Sequence, residues 1–200
     1  MKARQADIAR KTKETTISLQ LDLDGRGEAQ IETGIGFLDH LLVILAKHAR
    51  IDLRLTCEGD LKVDDHHSAE DCGLAIGQAL SRALGDRSGI KRFGFAYAPL
   101  DEALARAVVD LSGRPFADVS LRLTREKLGE LSCENVAHVL QSFAFAGGIT
   151  LHVDVLKGIN DHHRAESAFK AVALALKDAI ANSGHVDVPS TKGTIEQRVE

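Results

Sequence analysis

The chain has 200 residues, of which 44% are hydrophobic and 27% are charged, and its formal net charge is −4. These values are typical of a globular chain that is long enough for one large core or for two smaller fused halves. The slightly acidic balance argues against a broad nucleic-acid-binding surface, and no apolar run approaches the length of a membrane span. The cysteines are odd in number and lack zinc spacing, which indicates reduced core thiols and a cytoplasmic protein: Cys57, Cys72 and Cys133.

The first half of the chain predicts strands and helices in alternation. Residues 1–13 are expected to form a loose arm. Residues 15–23 alternate between apolar and polar side chains, as a half-buried strand does, and residues 28–32 are expected to pair back on this strand after a turn. Residues 37–48 carry apolar side chains at helical spacing, and residues 51–57 alternate again. A second helix is predicted after residue 65.

A similar pattern restarts after residue 85. Strands are predicted at 93–98, 104–111, 116–123 and 149–155, with a hydrophobic segment at 136–146. We therefore predict an α+β fold that is internally duplicated, in which each half has a small, mainly antiparallel sheet covered by helices on one face. The expected divisions are an arm (1–13), a first half (14–88), a second half fused to it in one compact unit (89–184) and a tail (185–200).

A polar cluster opens the second predicted helix of each half. Residues 65–70 read Asp-His-His-Ser-Ala-Glu, and residues 161–166 repeat Asp-His-His-x-x-Glu 96 positions later. On a helix, His66 and Glu70 share one face, whereas His66 and His67 diverge by about 100°. Imidazole and carboxylate groups at this spacing are ligands for a transition metal. One copy alone is more typical of a solvated turn, but two equivalent copies favour a metal site, and the diverging histidines suggest that each cluster serves two metals.

A single histidine precedes each cluster on a predicted helical segment. His40 lies 26 residues before His66, and His138 lies 24 residues before His162. Each half is therefore predicted to supply one isolated histidine and one His-His-x-x-Glu segment. The candidate metal ligands are His40, His66, His67, Glu70, His138, His162, His163 and Glu166.

Six motifs together resemble one known family. The segments 33–40 (TGIGFLDH), 64–67 (DDHH), 99–103 (PLDEA), 110–115 (DLSGRP), 160–163 (NDHH) and 189–193 (PSTKG) are similar, in this order, to those of the imidazoleglycerol-phosphate dehydratase family. The resemblance covers nearly the whole chain. It departs from the family pattern at residues 139–140 and 185–187, which include none of the candidate ligands.

The resemblance implies cofactors and an assembly. It implies two manganese(II) ions (Mn2+) per active site, bound by the eight candidate ligands. It also implies a homo-24-mer built from trimers, in which the metal sites lie at subunit boundaries. Neither membrane nor nucleic acid is an expected partner.

The resemblance implies dehydration of imidazoleglycerol phosphate to imidazole acetol phosphate in histidine biosynthesis. The proton to be removed is not next to a carbonyl group, so another electron sink is needed, and a metal-bound imidazolate that expels the hydroxyl through a diazafulvene would provide it. By resemblance, Glu14 transfers protons. The expected substrate-binding residues are Glu14, His40, His66, Glu70, Arg92, Arg114, His162, Lys170, Ser190 and Lys192, of which Arg92, Arg114, Ser190 and Lys192 match phosphate-binding positions.

Two other classes of function remain open from the residues alone. A binuclear hydrolase could use the same ligands to hold a bridging water. A metal-stapled assembly protein, or a nucleic-acid module on a similar frame, would need no catalysis, although the acidic balance disfavours the latter. Asp65 and Asp161 are expected to cap their helices or to orient histidines.

Overall fold

The computed structural model of the chain describes residues 3–195. The first half contains one four-stranded sheet, sheet 1, and two helices. In chain order these elements are β1 (Gln5–Lys11), β2 (Thr15–Asp22), β3 (Ala29–Glu32), α1 (Gly36–Ala49), β4 (Asp52–Gly59) and α2 (His66–Leu84).

The second half repeats this order in sheet 2, with a short additional ribbon before its first helix. Its elements are β5 (Phe93–Leu100), β6 (Ala103–Asp110), β7 (Phe116–Ser120), β8 (Lys127–Leu128), β9 (Leu131–Ser132), α3 (Cys133–Gly147), β10 (Thr150–Lys157) and α4 (Asp161–Ala179). The strand orders are β1-β2-β4-β3 in sheet 1 and β5-β6-β10-β7 in sheet 2. The two halves thus share one topology, which confirms the predicted duplication.

The helices lie between the two sheets. Residues Ile17, Leu19 and Leu21 of β2 are buried, and the alternate residues of this strand face solvent, because a strand buries only one of its faces here. Helices α1 and α2 contact sheet 1, whereas α3 and α4 contact sheet 2. One continuous hydrophobic core joins both halves. The predicted α+β class, with helices on one face of each sheet, is confirmed.

Helices also pack across the boundary between the halves, α2 on α3 and α1 on α4. Gly73 and Gly77 of α2 allow its close approach to α3. A Cβ atom at Gly73 would lie 2.6 Å from the carbonyl oxygen of Val139, and one at Gly77 would lie 2.4 Å from that of Phe143. Both distances are shorter than van der Waals contact, so this helix pair requires glycine.

Two sequence expectations about sheet 1 are wrong. Residues 5–11 do not form a loose arm, because β1 pairs antiparallel with β2 and buries Ile8. Strand β3 does not pair back on β2 and instead lies parallel to β4, with Ile31 opposite Leu55. The turn before β3 explains this placement, since the carboxylate of Asp52 accepts hydrogen bonds from the backbone N–H groups of residues 26, 27 and 28 at 2.7, 3.0 and 2.8 Å.

The remaining expectations have mixed outcomes. Cys57, Cys72 and Cys133 are free and buried, as expected. Among residues 3–195, no helix has both the length and the apolar character needed to cross a membrane. Residues 1–2 of the expected arm and residues 196–200 of the expected tail lie outside the described residues, and the boundaries between the halves stay a prediction.

The aspartates that open the two duplicated clusters connect distant segments. Asp65 accepts hydrogen bonds from the backbone N–H and the hydroxyl of Ser132 at 2.5 and 2.8 Å. Asp161 accepts from the backbone N–H groups of Thr124 and Arg125 at 2.7 and 2.8 Å. Asp65 is the N-cap residue of α2, as expected, but its side chain forms no capping hydrogen bond, and the capping expectation is wrong for Asp161, which lies inside α4. The N-cap of α4 is Asn160, whose side chain accepts from the N–H of residue 162.

We expect Asp161→Ala to lower the free energy of unfolding by about 1–3 kcal/mol, because two backbone N–H groups lose their acceptor and Arg164 loses an ion pair of 2.8 Å. Denaturant unfolding of chelator-treated protein measures this change. The control is Glu58→Ala, on the exposed outer face of β4, for which we expect a change within about 0.5 kcal/mol. Equal stability of the two variants would contradict the proposed role of Asp161.

Candidate metal centres

The first cluster, called the Glu166 centre, combines His40 of α1 with His162 and Glu166 of α4. The Nε2 atoms of His40 and His162 lie 2.7 and 2.8 Å from Oε1 of Glu166. One potential ligand atom from each of the three residues lies within 4.8 Å of the others. The i, i+4 spacing on α4 places His162 beside Glu166, and the packing of α1 on α4 adds His40.

The second cluster, called the Glu70 centre, combines His66 and Glu70 of α2 with His138 of α3. The rings of His66 and His138 stack with their centroids 4.9 Å apart. Atom Nε2 of His138 is buried, has no hydrogen-bond partner, and lies 3.6 Å from Oε1 of Glu70. A buried ring nitrogen without a partner is costly unless it binds a ligand, so this donor set fits a transition metal.

Each cluster contains residues from both halves of the chain. The sequence predicts that each half supplies one isolated histidine and one His-x-x-x-Glu pair, and both kinds of group are present. However, the isolated histidine of one half joins the pair of the other half, because α1 packs on α4 and α2 packs on α3. Spacing within the sequence did not indicate this exchange.

The second histidine of each duplicated segment points elsewhere. The rings of His66 and His67 are 6.0 Å apart, those of His162 and His163 are 6.2 Å apart, and each pair is nearly perpendicular. Among residues 3–195, neither His67 nor His163 belongs to one of the two clusters. The divergence expected from helical geometry is therefore present.

Carboxylates hold one ring nitrogen of each diverging histidine. Atom Nδ1 of His67 lies 3.1 Å from both carboxylate oxygens of Asp60, and Nδ1 of His163 lies 2.7 Å from Oε2 of Glu102. The opposite nitrogen, Nε2, is left to bind another group. Histidines that ligate metals typically have such a carboxylate partner, which fixes the ring and increases its basicity.

Sequence reasoning missed three hydrogen-bond acceptors. These are Asp60, Glu102 and Asn135, the last of which places Oδ1 3.1 Å from Nδ1 of His66. A signal existed for Glu102, since it lies in the PLDEA motif and is the counterpart of Glu14 in the duplicated pattern. Asp60 and Asn135 have no such signal, because Asp60 reaches His67 through the irregular turn between β4 and α2, and Asn135 reaches His66 through the packing of α3 on α2.

The protonation of these groups follows from their contacts. Burial alone would raise the pKa of Glu166, but hydrogen bonds from His40, Lys170 and His162 lower this pKa to about 2. The carboxylate is therefore ionised at neutral pH, as a metal ligand must be.

Glu102 and the diverging histidines influence one another. The hydrogen bond with His163, together with two backbone N–H groups, lowers the pKa of Glu102 to about 2. The same contact raises the pKa of His163, and the contact with Asp60 raises the pKa of His67. Protons therefore compete with a metal at both histidines up to a higher pH than at an isolated imidazole.

The predicted catalytic residue Glu14 lies in the turn between β1 and β2. Its side chain is 51% exposed, and Oε1 lies 3.6 Å from Nε2 of His67. Its counterpart Glu102 is more constrained, since one carboxylate oxygen accepts backbone N–H bonds from Ile159 and Asn160 at 3.0 and 2.8 Å. Glu14 is thus an accessible carboxylate beside a proposed ligand, and Asp101, whose Oδ2 lies 3.9 Å from Nε2 of His163, is the corresponding exposed carboxylate of the second half.

Several predicted phosphate-binding residues lie at one end of sheet 2. The guanidinium of Arg92 forms a bidentate ion pair with Asp110 and donates to the carbonyl oxygen of Pro189 at 2.7 Å. This bond joins Arg92 to the loop that carries Ser190 and Lys192, where the N–H of Lys192 donates to the Ser190 hydroxyl at 3.2 Å. Arg92 and this loop therefore form one connected unit.

The other two predicted basic residues occupy different surroundings. Arg114 is exposed in the turn before β7, and its backbone is fixed by the hydroxyl groups of Ser112 and Thr150. Lys170 instead belongs to the Glu166 centre, where Nζ donates to Oε2 of Glu166 at 2.9 Å. The structure thus gives Lys170 a carboxylate partner that the sequence prediction did not include.

The chain resembles proteins of one family in sequence and in structure. The sequence model described as "Imidazoleglycerol-phosphate dehydratase" matches residues 33–176. An imidazoleglycerol-phosphate dehydratase of Kluyveromyces lactis is 53% identical over 215 residues, covering 96% of this chain and 97% of that protein. A second, of Phytophthora nicotianae, is 56% identical over 96% of this chain, but the chain spans only 42% of that protein.

Solved structures show the same similarity. The crystal structure of imidazoleglycerol-phosphate dehydratase from Staphylococcus aureus subsp. aureus N315 has a TM-score of 0.81 and 34% identity, over 90% of this chain and 99% of that one. The structure from Pyrococcus furiosus, in complex with (S)-C348, has a TM-score of 0.80 and 34% identity, over 93% of this chain and 99% of that one.

We expect Glu102→Gln to weaken manganese(II) binding by roughly 10–100-fold at pH 8, because the carboxylate that holds His163 is lost. Glutamine keeps an oxygen for the two backbone N–H groups, which limits structural damage. Loss of this carboxylate also lowers the pKa of His163. Protons should therefore stop competing with manganese(II) for this histidine at a lower pH than in the unaltered protein. Calorimetric titrations at several pH values measure both effects.

The control for this prediction is Glu58→Gln, which removes a carboxylate from the exposed face of sheet 1. Manganese(II) affinity in this control should equal that of the unaltered protein. An unchanged affinity in Glu102→Gln would remove His163 from the proposed ligand set.

Proposed function

The chain belongs to the imidazoleglycerol-phosphate dehydratase family, and from this premise we propose that it converts imidazoleglycerol phosphate to imidazole acetol phosphate with a metal. The family assigns the chain to the hydro-lyases and to a dehydration step of histidine biosynthesis. The observation that carries the metal proposal is made at the Glu70 centre. There, Nε2 of His138 is buried, has no hydrogen-bond partner and faces the carboxylate of Glu70. The three free, buried thiols support a cytoplasmic location.

We assign the metal to the two clusters and to the diverging histidines. Two manganese(II) ions per active site would be held by His40, His66, His67, Glu70, His138, His162, His163 and Glu166. When bound, such ions supply Lewis-acid stabilisation of the negative charge that develops on the imidazole ring of the substrate. Neutral imidazoles and ionised carboxylates are ligands that suit this ion as well as several other divalent metals.

The geometry supports active sites that are shared between chains. Each cluster offers three ligands, while Nε2 of His67 and of His163 points away from the cluster on its own helix. We propose that these two nitrogens complete centres on neighbouring chains, in a homo-24-mer built from trimers. Each chain then contributes both an incomplete centre and the ligand that completes another one.

The outer face of sheet 2 also supports self-association. It exposes Phe93, Phe95, Tyr97, Val108 and Phe116, and the Phe95 side chain is the most exposed of them at 70%. The equivalent positions of sheet 1 carry small or polar residues, namely Gln5, Asp7, Ala9, Gln20 and Glu28. The outer face of sheet 1 is thus polar, as is usual for a sheet face that contacts water. Five exposed apolar side chains on the same face of sheet 2 are instead typical of a surface that is buried in a protein contact.

Glu14 is the proposed proton-transfer residue. Its carboxylate is accessible, and it lies beside Nε2 of His67, which would hold it next to a substrate bound at that ligand. In the proposed reaction, the hydroxyl group on the carbon attached to the ring leaves and, with the proton of the ring N–H, forms water. Oε1 of Glu14 then takes the proton from the next carbon of the side chain. The resulting enol converts to the ketone. A positioned carboxylate is suited to both removal and return of a proton.

The phosphate group of the substrate would bind at the basic end of sheet 2. Arg92 positions the loop of Ser190 and Lys192 through its bond to Pro189, and Arg114 is exposed in an adjacent turn. These groups supply guanidinium, ammonium and hydroxyl donors, which match the oxygens of a phosphate ester. Lys170 and the ligands His40, His66, Glu70 and His162 complete the proposed substrate-binding set.

The decisive experiment is turnover of imidazoleglycerol phosphate by chelator-stripped protein with and without added manganese(II). Ketone and free phosphate are measured in the same sample. We expect metal-dependent ketone without phosphate release. Release of phosphate would instead indicate a hydrolase, and bound metal without turnover would indicate a purely structural role for the clusters.

Glu14→Gln provides the matched variant for this experiment. We expect its turnover to fall by about 10²–10⁴-fold, because the proton-transfer group is lost while the metal ligands remain. Manganese(II) binding should be retained, and Glu58→Gln should keep full activity. Normal turnover by Glu14→Gln would remove this residue from the mechanism.

We expect Phe95→Asp to yield particles of lower mass than the unaltered protein, because a charge would be buried in the proposed contact. Ala9→Asp places the same charge on the outer face of sheet 1 and serves as the control. Analytical ultracentrifugation with manganese(II) present measures the mass of both variants. An unchanged particle mass for Phe95→Asp would exclude this face from the assembly.

A further inference from the structure

The two centres occupy equivalent places in the duplicated fold but differ in charge. In the Glu166 centre, Nζ of Lys170 donates to Oε2 of Glu166 at 2.9 Å. The equivalent position in α2, 96 residues earlier, is Leu74. The Glu70 centre therefore has no counterpart of this ammonium group on its own helix.

Burial increases the effect of that charge. The side chains of Glu166 and Lys170 are 13% and 19% exposed, whereas that of Glu70 is 39% exposed. Charges that are shielded from water interact more strongly. A divalent ion at the Glu166 centre must share its carboxylate with an ammonium group that already neutralises it, whereas the equivalent position on α2 at the Glu70 centre is the uncharged Leu74.

A second difference acts in the same direction. At the Glu70 centre, Asn135 lies 3.1 Å from Nδ1 of His66 and so leaves Nε2 of this ring as the ligand atom. The equivalent residue at the Glu166 centre is Phe37, whose ring centroid lies 5.0 Å from that of His162 and 6.0 Å from that of His40. An aromatic ring cannot accept this hydrogen bond in the way an amide oxygen does, so it does not increase the basicity of the ligand.

We propose that the two centres bind divalent ions in a fixed order, the Glu70 centre first and the Glu166 centre second, and that Lys170 is the positioning residue that sets this order. The inference rests on the proposed function for the assignment of the clusters as metal sites. The difference that sets this order lies in Lys170, Leu74, Asn135 and Phe37, and it does not require substrate.

The first test is a manganese(II) titration of chelator-stripped protein, in which the electron paramagnetic resonance signal reports free ion. We expect two classes of site whose affinities differ by about tenfold or more. Phe37→Trp identifies the weaker class, because the chain has no tryptophan of its own and this position adjoins the Glu166 centre. Quenching of its fluorescence should begin only after the first class has filled.

A reciprocal pair of substitutions tests the role of Lys170. Lys170→Met should strengthen the weaker class by about tenfold or more, and Leu74→Lys should weaken the stronger class by a similar factor. The double variant Leu74→Lys/Lys170→Met should again show two classes, but in reversed order. When Phe37→Trp is combined with this double variant, the tryptophan fluorescence should be quenched while the first, tighter class of sites fills.

Each outcome separates this inference from the proposed function. A single class of sites, or quenching with the first ion, would overturn the binding order and leave the metal sites in place. Lys170→Gln serves as a second neutral variant. If both variants fold correctly and the manganese(II) affinities of the two classes of site are unchanged, the role of Lys170 is overturned. No manganese(II) binding by the unaltered protein would overturn both the inference and the metal proposal. Circular dichroism verifies the fold of each variant.

Discussion

The close packing of α2 on α3 brings His138 of α3 within reach of His66 and Glu70 of α2, and so assembles the Glu70 centre. Gly73 and Gly77 leave no room for a side chain between the helices, so the backbones approach each other directly. This approach brings His138 against His66, with their rings 4.9 Å apart. Without this packing, His138 would not reach the carboxylate of Glu70 on α2. A local spacing rule provides two ligands, and a contact between the halves provides the third.

The sequence predicts those parts of the fold that have a local pattern. Strand β2 is predictable because its inner residues are apolar. Strand β1 is not, because Ile8 is its only fully buried residue and the inward-facing Arg10 forms an ion pair with Asp71 of α2. The ligands on α2 and α4 follow from i, i+4 spacing. The acceptors do not follow from this spacing, because Asp60 lies in the turn before α2, while Glu102 and Asn135 reach their histidines through tertiary packing.

Comparison of the halves shows where the duplicated copies have diverged. Glu102 is fixed by backbone N–H groups and holds Nδ1 of His163, whereas its counterpart Glu14 is accessible and faces Nε2 of His67. At His67, Nδ1 instead contacts Asp60. One carboxylate of the equivalent pair thus holds a histidine ring, while the other is 51% exposed. The same topology places the two carboxylates in different surroundings.

The proposed arrangement couples metal binding to assembly. A centre with three ligands from one chain and a fourth from its neighbour binds its ion more tightly in the assembled state, so the ion stabilises the contact by mass action. In the proposed assembly, the aromatic face of sheet 2 would add association that needs no ion, because burial of apolar surface is independent of metal. Each chain presents His67 and His163 outward and offers two incomplete centres in return. It can therefore join several neighbours at once, which a closed particle of many identical chains requires.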